Sequence, residues 1–175
     1  MYYLHCTKKL LDRARPSVIE STVADSQATT VLGNWYATAL FWKPQLALLV
    51  NETSLLPVLM PLAPAAHIAN RFPAHLAEML AMIGISKAFI DHEIAQMASA
   101  RYAKSANRSV LGVMKEFVFH AETYRDYHGE HDPLTLSLRL AHIPCSPLDR
   151  RAGFPDREVQ RIAETWTRTQ STPKS

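Results

Sequence analysis

Three short apolar runs in the first third of the chain constrain the fold more than any other feature of the sequence. They cover 35–42, 46–50 and 55–60, and turn-forming residues separate them at 43–45 and 51–54. Apolar runs of this length between turn residues are typical of neighbouring strands, although a buried helix can have the same composition. Their shortness favours strands, so the pattern predicts an antiparallel meander.

The period of the apolar residues becomes helical after Pro64. The longest helical pattern begins near Val110, runs to about Tyr127 and stops at Gly129. A first strand is predicted at 2–6, and an extra strand or an extended link at 101–104. Because the strands come early and the helices late, the sequence predicts an α+β fold: a small antiparallel β-sheet of about four strands, packed against four to five helices of the C-terminal half.

A single domain is predicted over residues 1–168. The segment 16–30 is poor in large apolar residues and is predicted to be a loop or mobile insertion, while 169–175 is predicted to be a frayed tail. A chain of 175 residues is long enough to bury most of its apolar surface without a disulfide or a metal. The two cysteines, Cys6 and Cys145, form no C-x-x-C pair.

A cytoplasmic location without membrane contact is expected. The first residues lack the apolar core of a secretory signal, because Thr7, Lys8 and Lys9 follow at once. The most apolar stretch, 55–66, is 12 residues long and contains three prolines, whereas a bilayer span needs about 20 apolar residues. The formal net charge of +3 is too small to indicate nucleic acid by itself.

The segment from 101 to 115 concentrates positive charge at the start of the longest predicted helix. No Asp or Glu occurs between Glu93 and Glu116. Free N–H groups at a helix start, together with neighbouring cations, are a ready site for an anion such as phosphate or carboxylate. The candidate anion-binding residues are Arg101, Lys104, Ser105, Asn107, Arg108 and Ser109.

A purely structural interpretation of the same segment stays open. Every helix needs a cap, and Ser105, Asn107 or Ser109 can supply one. The two central cations, Lys104 and Arg108, are then either solvated or paired with the protein's own carboxylates, for which Asp91, Glu93 and Glu116 are the candidates.

A second basic segment lies near the N-terminus and supplies possible nucleic-acid contacts at Lys8 and Lys9. Trp35, at the entry to the first meander strand, is an aromatic that can stack on a base. The alternative is that Trp35 belongs to the core, where large aromatics dominate burial.

A cluster of metal-competent side chains follows at the end of the long helix. Its imidazoles are His120, His128 and His131, which suit zinc, iron or manganese. The spacing is poor, because His120 and His128 are about 12 Å apart along a helix. The alternative is that these residues form a solvated helix end of mixed charge. No motif in the sequence indicates a cofactor, so none is predicted.

Three stretches of the sequence together carry a family resemblance. They are residues 4–11 (LHCTKKLL), residues 32–37 (LGNWYA) with 50–53 (VNET), and residues 104–114 (KSANRSVLGVM). They resemble a family of small bacterial proteins, also found on mobile elements, that is known only as a domain of unknown function. The resemblance implies a bacterial cytosolic origin and no particular activity. The family pattern has Met-Asn-Asp after the glycine where this chain has Met114, Lys115 and Glu116.

Three functional hypotheses follow. The first is a binding module that engages nucleic acid or a phosphorylated ligand through the basic residues. The second is the protein-interaction or regulatory half of a two-gene system, such as a toxin–antitoxin pair or phage defence, with a partner encoded nearby. The third is an enzyme, either a metal-dependent hydrolase that uses His120, His128 and His131 or a metal-free phosphodiesterase that uses Lys104 and Arg108.

Overall fold

The computed structural model describes residues 1–16 and 27–171 of the chain. The predicted insertion at 16–30 and the predicted tail at 169–175 therefore fall partly outside the described residues. Within the described residues, the last helix continues to Ser171. The five strands are β1 (Tyr2–Cys6), β2 (Trp35–Leu40), β3 (Leu46–Asn51), β4 (Pro57–Pro61) and β5 (Ala100–Lys104).

Six α-helices surround these strands in the described ranges. They are α1 (Lys8–Ala14), α2 (Ile68–Met82), α3 (Lys87–Gln96), α4 (Arg108–His128), α5 (Pro133–Ala141) and α6 (Pro155–Ser171). Helix α4 is the longest, as its apolar period predicts. It ends at Gly129, whose φ of 65° lies in the left-handed region that lets the chain leave a helix.

The strands form one sheet in the order β4-β3-β2-β1-β5. The predicted meander is confirmed, because β2, β3 and β4 pair antiparallel in sequence order. The α+β class is confirmed as well, but the sheet is mixed and has five strands. Strand β1 runs parallel to β2 and to β5, which form its two neighbours. Parallel strands are joined by a long crossover connection instead of a tight turn. No local sequence pattern therefore indicates which strands are parallel neighbours.

Helices cover both faces of the sheet. On one face, alternate residues of β1 and β2 pack against α1, α2, α3 and α6, with Phe72 of α2 and Phe89 of α3 at the centre. On the other face, the intervening strand residues pack against α4 and α5, with Val113 and Phe117 of α4 fully or nearly buried. The period-2 alternation of the strands thus divides the apolar residues between two cores.

Candidate functional site

The two basic segments of the sequence emerge side by side at one edge of the sheet. Strands β1 and β5 are parallel neighbours, and their last residues, Cys6 and Lys104, face each other in register. The backbone N–H of Ser105 donates to the carbonyl of Cys6 at 3.1 Å, which extends the pairing beyond both strand ends. The cations of both segments therefore begin at the same place in the fold.

The helices that follow these two strands pack on opposite faces of the sheet. Helix α1 places Leu10 and Ala14 in the core of one sheet face. Helix α4 places Val113 and Phe117 in the core of the other face. In open sheets with parallel strands, a crevice forms where the connections of neighbouring strands diverge in this way, outside the carboxyl ends of the strands, and ligands bind there. We call this place the strand-end crevice.

Asn107 caps α4 with its side chain. Its Oδ1 accepts hydrogen bonds from the backbone N–H groups of Ser109 (3.0 Å) and Val110 (3.3 Å). The protein therefore already uses two of the N–H groups that the sequence offers to an anion. The capping role that the sequence left open for Asn107 is therefore filled, and these two backbone N–H groups already have an acceptor.

One of the protein's own carboxylates also lies beside the start of α4. Glu52, at the end of β3, lines a cavity of about 200 Å³ together with Asn107, Ser109 and Arg151. The Tyr36 phenol lies near both Glu52 and the backbone of Asn107. Burial, and next the Glu52 carboxylate, raise the pKa of Tyr36, so the phenol stays protonated. This side of the helix start does not favour an anion.

The cations of the strand-end crevice lack carboxylate partners within the described part of the chain. Lys8 pairs with Asp12 at 2.6 Å, but none of the other cations forms an ion pair with a described residue. The unpaired and exposed side chains near the strand ends are those of Lys9, Lys104, Arg108 and Lys115. Arg101 is also exposed, but it lies at the start of β5, opposite Tyr3, and so is away from the crevice.

The carboxylates that were candidates for pairing with Lys104 and Arg108 have other roles or stay apart. Asp91 pairs with Lys87 on α3. Glu93 is fully buried and accepts the N–H groups of Val31 (2.7 Å) and Leu32 (3.1 Å). Glu116, on α4, is exposed and forms no ion pair with the described residues. The positive charge at the crevice is therefore not neutralised by these groups.

A groove opens between the first turn of α1, strand β2 and helix α4. Its volume is about 320 Å³, and its lining is Thr7, Lys9, Thr38, Leu111, Met114, Lys115 and Val118. The hydroxyls of Thr7 and Thr38 lie 2.9 Å apart and hydrogen-bond each other. We call this feature the α1–α4 groove.

The α1–α4 groove is not apparent from the sequence. Thr7 lies in the 4–11 stretch of the family resemblance, but Thr38 belongs to no motif, and Lys115 stands out only as a departure from the family pattern. A signal is nevertheless present, because Thr7 directly follows the first strand and the KSANRSVLG stretch begins at the last residue of another strand. Had the two strands been recognised as parallel neighbours, the segments after them would have been placed together.

Trp35 does not reach the crevice. The indole is fully buried and packs edge-on against the Phe72 ring, with centroids 4.8 Å apart. The core interpretation therefore applies to this residue, and the proposed stacking of Trp35 on a nucleobase is wrong for this fold.

The histidines at the end of α4 do not come together in a metal site. His120 and His128 lie on α4, and His131 lies in the turn before α5. Among residues 1–16 and 27–171, no three His, Cys, Asp or Glu side chains are grouped closely enough to hold an ion. The structure offers no geometry for the metal-dependent hydrolase hypothesis.

The two thiols are poor nucleophiles. Cys6 and Cys145 are both buried. Burial raises the pKa of Cys6 to about 12 and, as the largest of three causes, that of Cys145 to about 11. Since the thiolate is the reactive form, neither side chain is activated at neutral pH.

Comparison with known proteins identifies the family. Residues 3–158 match a domain of unknown function, DUF6933. This match spans most of the chain and all three stretches that carry the resemblance noted in the sequence, so the protein belongs to the DUF6933 family. No curated protein matches the chain, and no solved structure matches it. Within the described ranges, no helix is both long and apolar enough to cross a bilayer.

Proposed function

We propose that this protein is a binding module for a phosphate-bearing ligand, nucleic acid or a phosphorylated small molecule, and that the strand-end crevice is its site. The observation that carries the proposal is the meeting of two basic segments at the carboxyl ends of β1 and β5. Their exposed cations include Lys9, Lys104 and Arg108, which have no carboxylate partner among the described residues.

The chemistry of these cations suits phosphate. Arg108 can hold a phosphate through two parallel hydrogen bonds, and lysine acts as a compact point charge. Unpaired cations are already solvated in the free protein, so a ligand does not have to break ion pairs to reach them. The alternative roles, as half of a two-gene system or as an enzyme, stay predictions that no contact in the described part of the chain favours.

The test is titration of the protein with fluorescently labelled single-stranded RNA, single-stranded DNA and duplex DNA at low and at physiological salt. The log of the affinity should fall linearly with the log of the salt concentration, by about 0.7 per neutralised phosphate on single strands and about 0.9 on duplex DNA. Inorganic polyphosphate serves as a competitor without bases.

Two double variants, each of which removes two positive charges, distinguish binding at the crevice from a general effect of net charge. Lys104→Ala with Arg108→Ala should weaken binding and lower the salt slope by about 1.5. Lys87→Ala with Arg157→Ala, on α3 and α6, should leave binding nearly unchanged. The proposal fails if no probe binds at low salt, or if the two double variants lose the same affinity.

A further inference from the structure

The α1–α4 groove has the size and the lining of a ligand site. Its volume of about 320 Å³ falls at the lower end of the range of about 300 to 1,000 Å³ that small-ligand pockets occupy. It begins at Thr7, the first residue after β1, and so continues the strand-end crevice onto the α4 face of the sheet. The cavity beside Glu52 is separate from it, since the two share no lining residue.

The groove has an apolar wall and a pair of threonine hydroxyls. Leu111, Met114 and Val118 of α4 form an apolar wall. The hydroxyls of Thr7 and Thr38 bond each other at 2.9 Å. One hydroxyl proton is used in that bond, so the pair still offers one donor and free acceptor lone pairs to a ligand. A ligand that fits both features has apolar faces and a polar edge.

Positive charge stands at the rim of the groove. Lys9 and Lys115 both line it, and neither pairs with a described carboxylate. Arg108 lies two turns before Lys115 on α4, about 10 Å away along the helix axis. A ligand that occupies the groove therefore meets cations beside its apolar part, as expected for a molecule that carries phosphate.

We infer that the α1–α4 groove binds an unpaired nucleobase whose phosphates contact Lys9, Lys115 and Arg108. This inference rests on the proposed function and specifies its ligand. A nucleobase has apolar faces for Leu111 and Val118, and donors and acceptors at its edge for the two hydroxyls. Duplex DNA keeps its base faces stacked, so the groove selects single strands or free nucleotides.

The experiment compares a labelled single-stranded oligonucleotide with an abasic strand of the same length, which carries the same phosphates without bases. The strand with bases should bind about tenfold more tightly, because a base face seated on the apolar wall removes roughly 60 Å² of apolar surface from water. Competition with a nucleoside monophosphate identifies the source of the base. Equal affinity for the monophosphate and the strand indicates a free nucleotide, and much tighter binding of the strand indicates a chain.

Three variants test the groove itself. Thr38→Val keeps the side-chain shape and removes a hydroxyl, so it should reduce the preference for bases and leave binding of the abasic strand unchanged. Leu111→Gln keeps the side-chain length at a half-buried position of the apolar wall, so it should also reduce the preference for bases and leave binding of the abasic strand unchanged. Ala95→Leu, at an exposed position of α3, is the control and should bind as the wild type does.

Equal affinity of wild-type protein for the abasic and the base-containing strand would overturn the assignment of the groove while leaving phosphate binding intact. The assignment would also be overturned if Thr38→Val and Leu111→Gln both bound like the Ala95→Leu control. Absence of binding to every probe would remove the proposed function together with this inference.

Discussion

The charged residues at the starts of α6 and α4 differ in burial and in whether they are paired within the described part of the chain. At α6, Glu158 is fully buried and bonds Arg161 at 2.7 and 3.1 Å, with Arg151 at 3.6 Å. Asp156, nearly buried, lies 3.5 Å from His142. At α4, Lys104 and Arg108 are exposed and have no carboxylate partner among the described residues.

This difference separates charges that hold the scaffold from charges that are free to meet a ligand. Removing the partners of a buried charge costs about 3 to 5 kcal/mol, whereas an exposed cation contributes about 0 to 1 kcal/mol. Stability measurements on charge-matched variants therefore distinguish the two regions without knowledge of the ligand.

The largest effect is expected at α6. Arg151→Ala with Arg161→Ala leaves the Glu158 carboxylate buried without a cationic partner, and should lower the free energy of unfolding by about 3 to 5 kcal/mol. Urea denaturation measures the change. Adding Glu158→Gln removes the buried charge and should restore much of the lost stability. A loss below 1 kcal/mol would mean that the carboxylate finds other compensation.

A smaller effect is expected from pH at Glu93, a buried acid that is held by backbone N–H groups instead of arginines. Burial, opposed by these N–H bonds, raises the pKa of Glu93 to about 6 from its ordinary value of 4.5. The Glu93 carboxylate therefore binds a proton more tightly in the folded state than in the unfolded state. The resulting stability is complete below pH 4.5 and is lost as the pH rises to 6, by about 2 kcal/mol.

The variant Glu93→Gln isolates this contribution from those of other carboxylates. The stability difference between wild type and variant should change across pH 4.5 to 6 and stay constant above it. Denaturation at closely spaced pH values makes the comparison. A difference that is constant over the whole range would show that Glu93 titrates normally in the folded protein.

A gain in stability is expected at Gly112, between the unpaired cations. Gly112→Ala should raise the free energy of unfolding by about 0.4 to 1 kcal/mol, because alanine restricts the unfolded chain and meets no atom within 4 Å in the folded one. Thermal unfolding measures it. Destabilisation would mean that the backbone of α4 is constrained here.

The smallest effect is expected from Lys104→Ala with Arg108→Ala. Since both side chains are exposed, the free energy of unfolding should change by less than about 1 kcal/mol. Circular dichroism melting, measured beside the α6 double variant, completes the comparison. If this variant unfolds instead, the two cations belong to the scaffold and the contrast between α4 and α6 disappears.

Local patterns in the sequence predicted the local parts of the fold. The meander from β2 to β4 and the end of α4 at Gly129 follow from turn residues and apolar periodicity, which act over a few residues. The central position of β1 did not follow, because its pairing with β5 joins distant segments. All five residues of β1 are buried, so its sequence does not alternate and gives no orientation.

The candidate site shows the same division. The cations Lys104 and Arg108 and the cap residue Asn107 were recognised, since they lie together in the sequence. The hydroxyl pair of Thr7 and Thr38 was not, because only the tertiary fold brings the two together. The exclusion of Trp35 also needed the structure, because composition alone does not distinguish a buried indole from one at the rim of a site.

The central position of β1 has a consequence for synthesis on the ribosome. Strand β1 is made before the other four strands of the sheet and has one edge that only β5 can complete, and β5 is made after the meander and three helices. Until residue 104 has left the exit tunnel, that edge of β1 has unpaired N–H and C=O groups, which are prone to pair with other chains. A nascent chain stalled before β5 should therefore be the species that chaperones retain and that aggregates most readily.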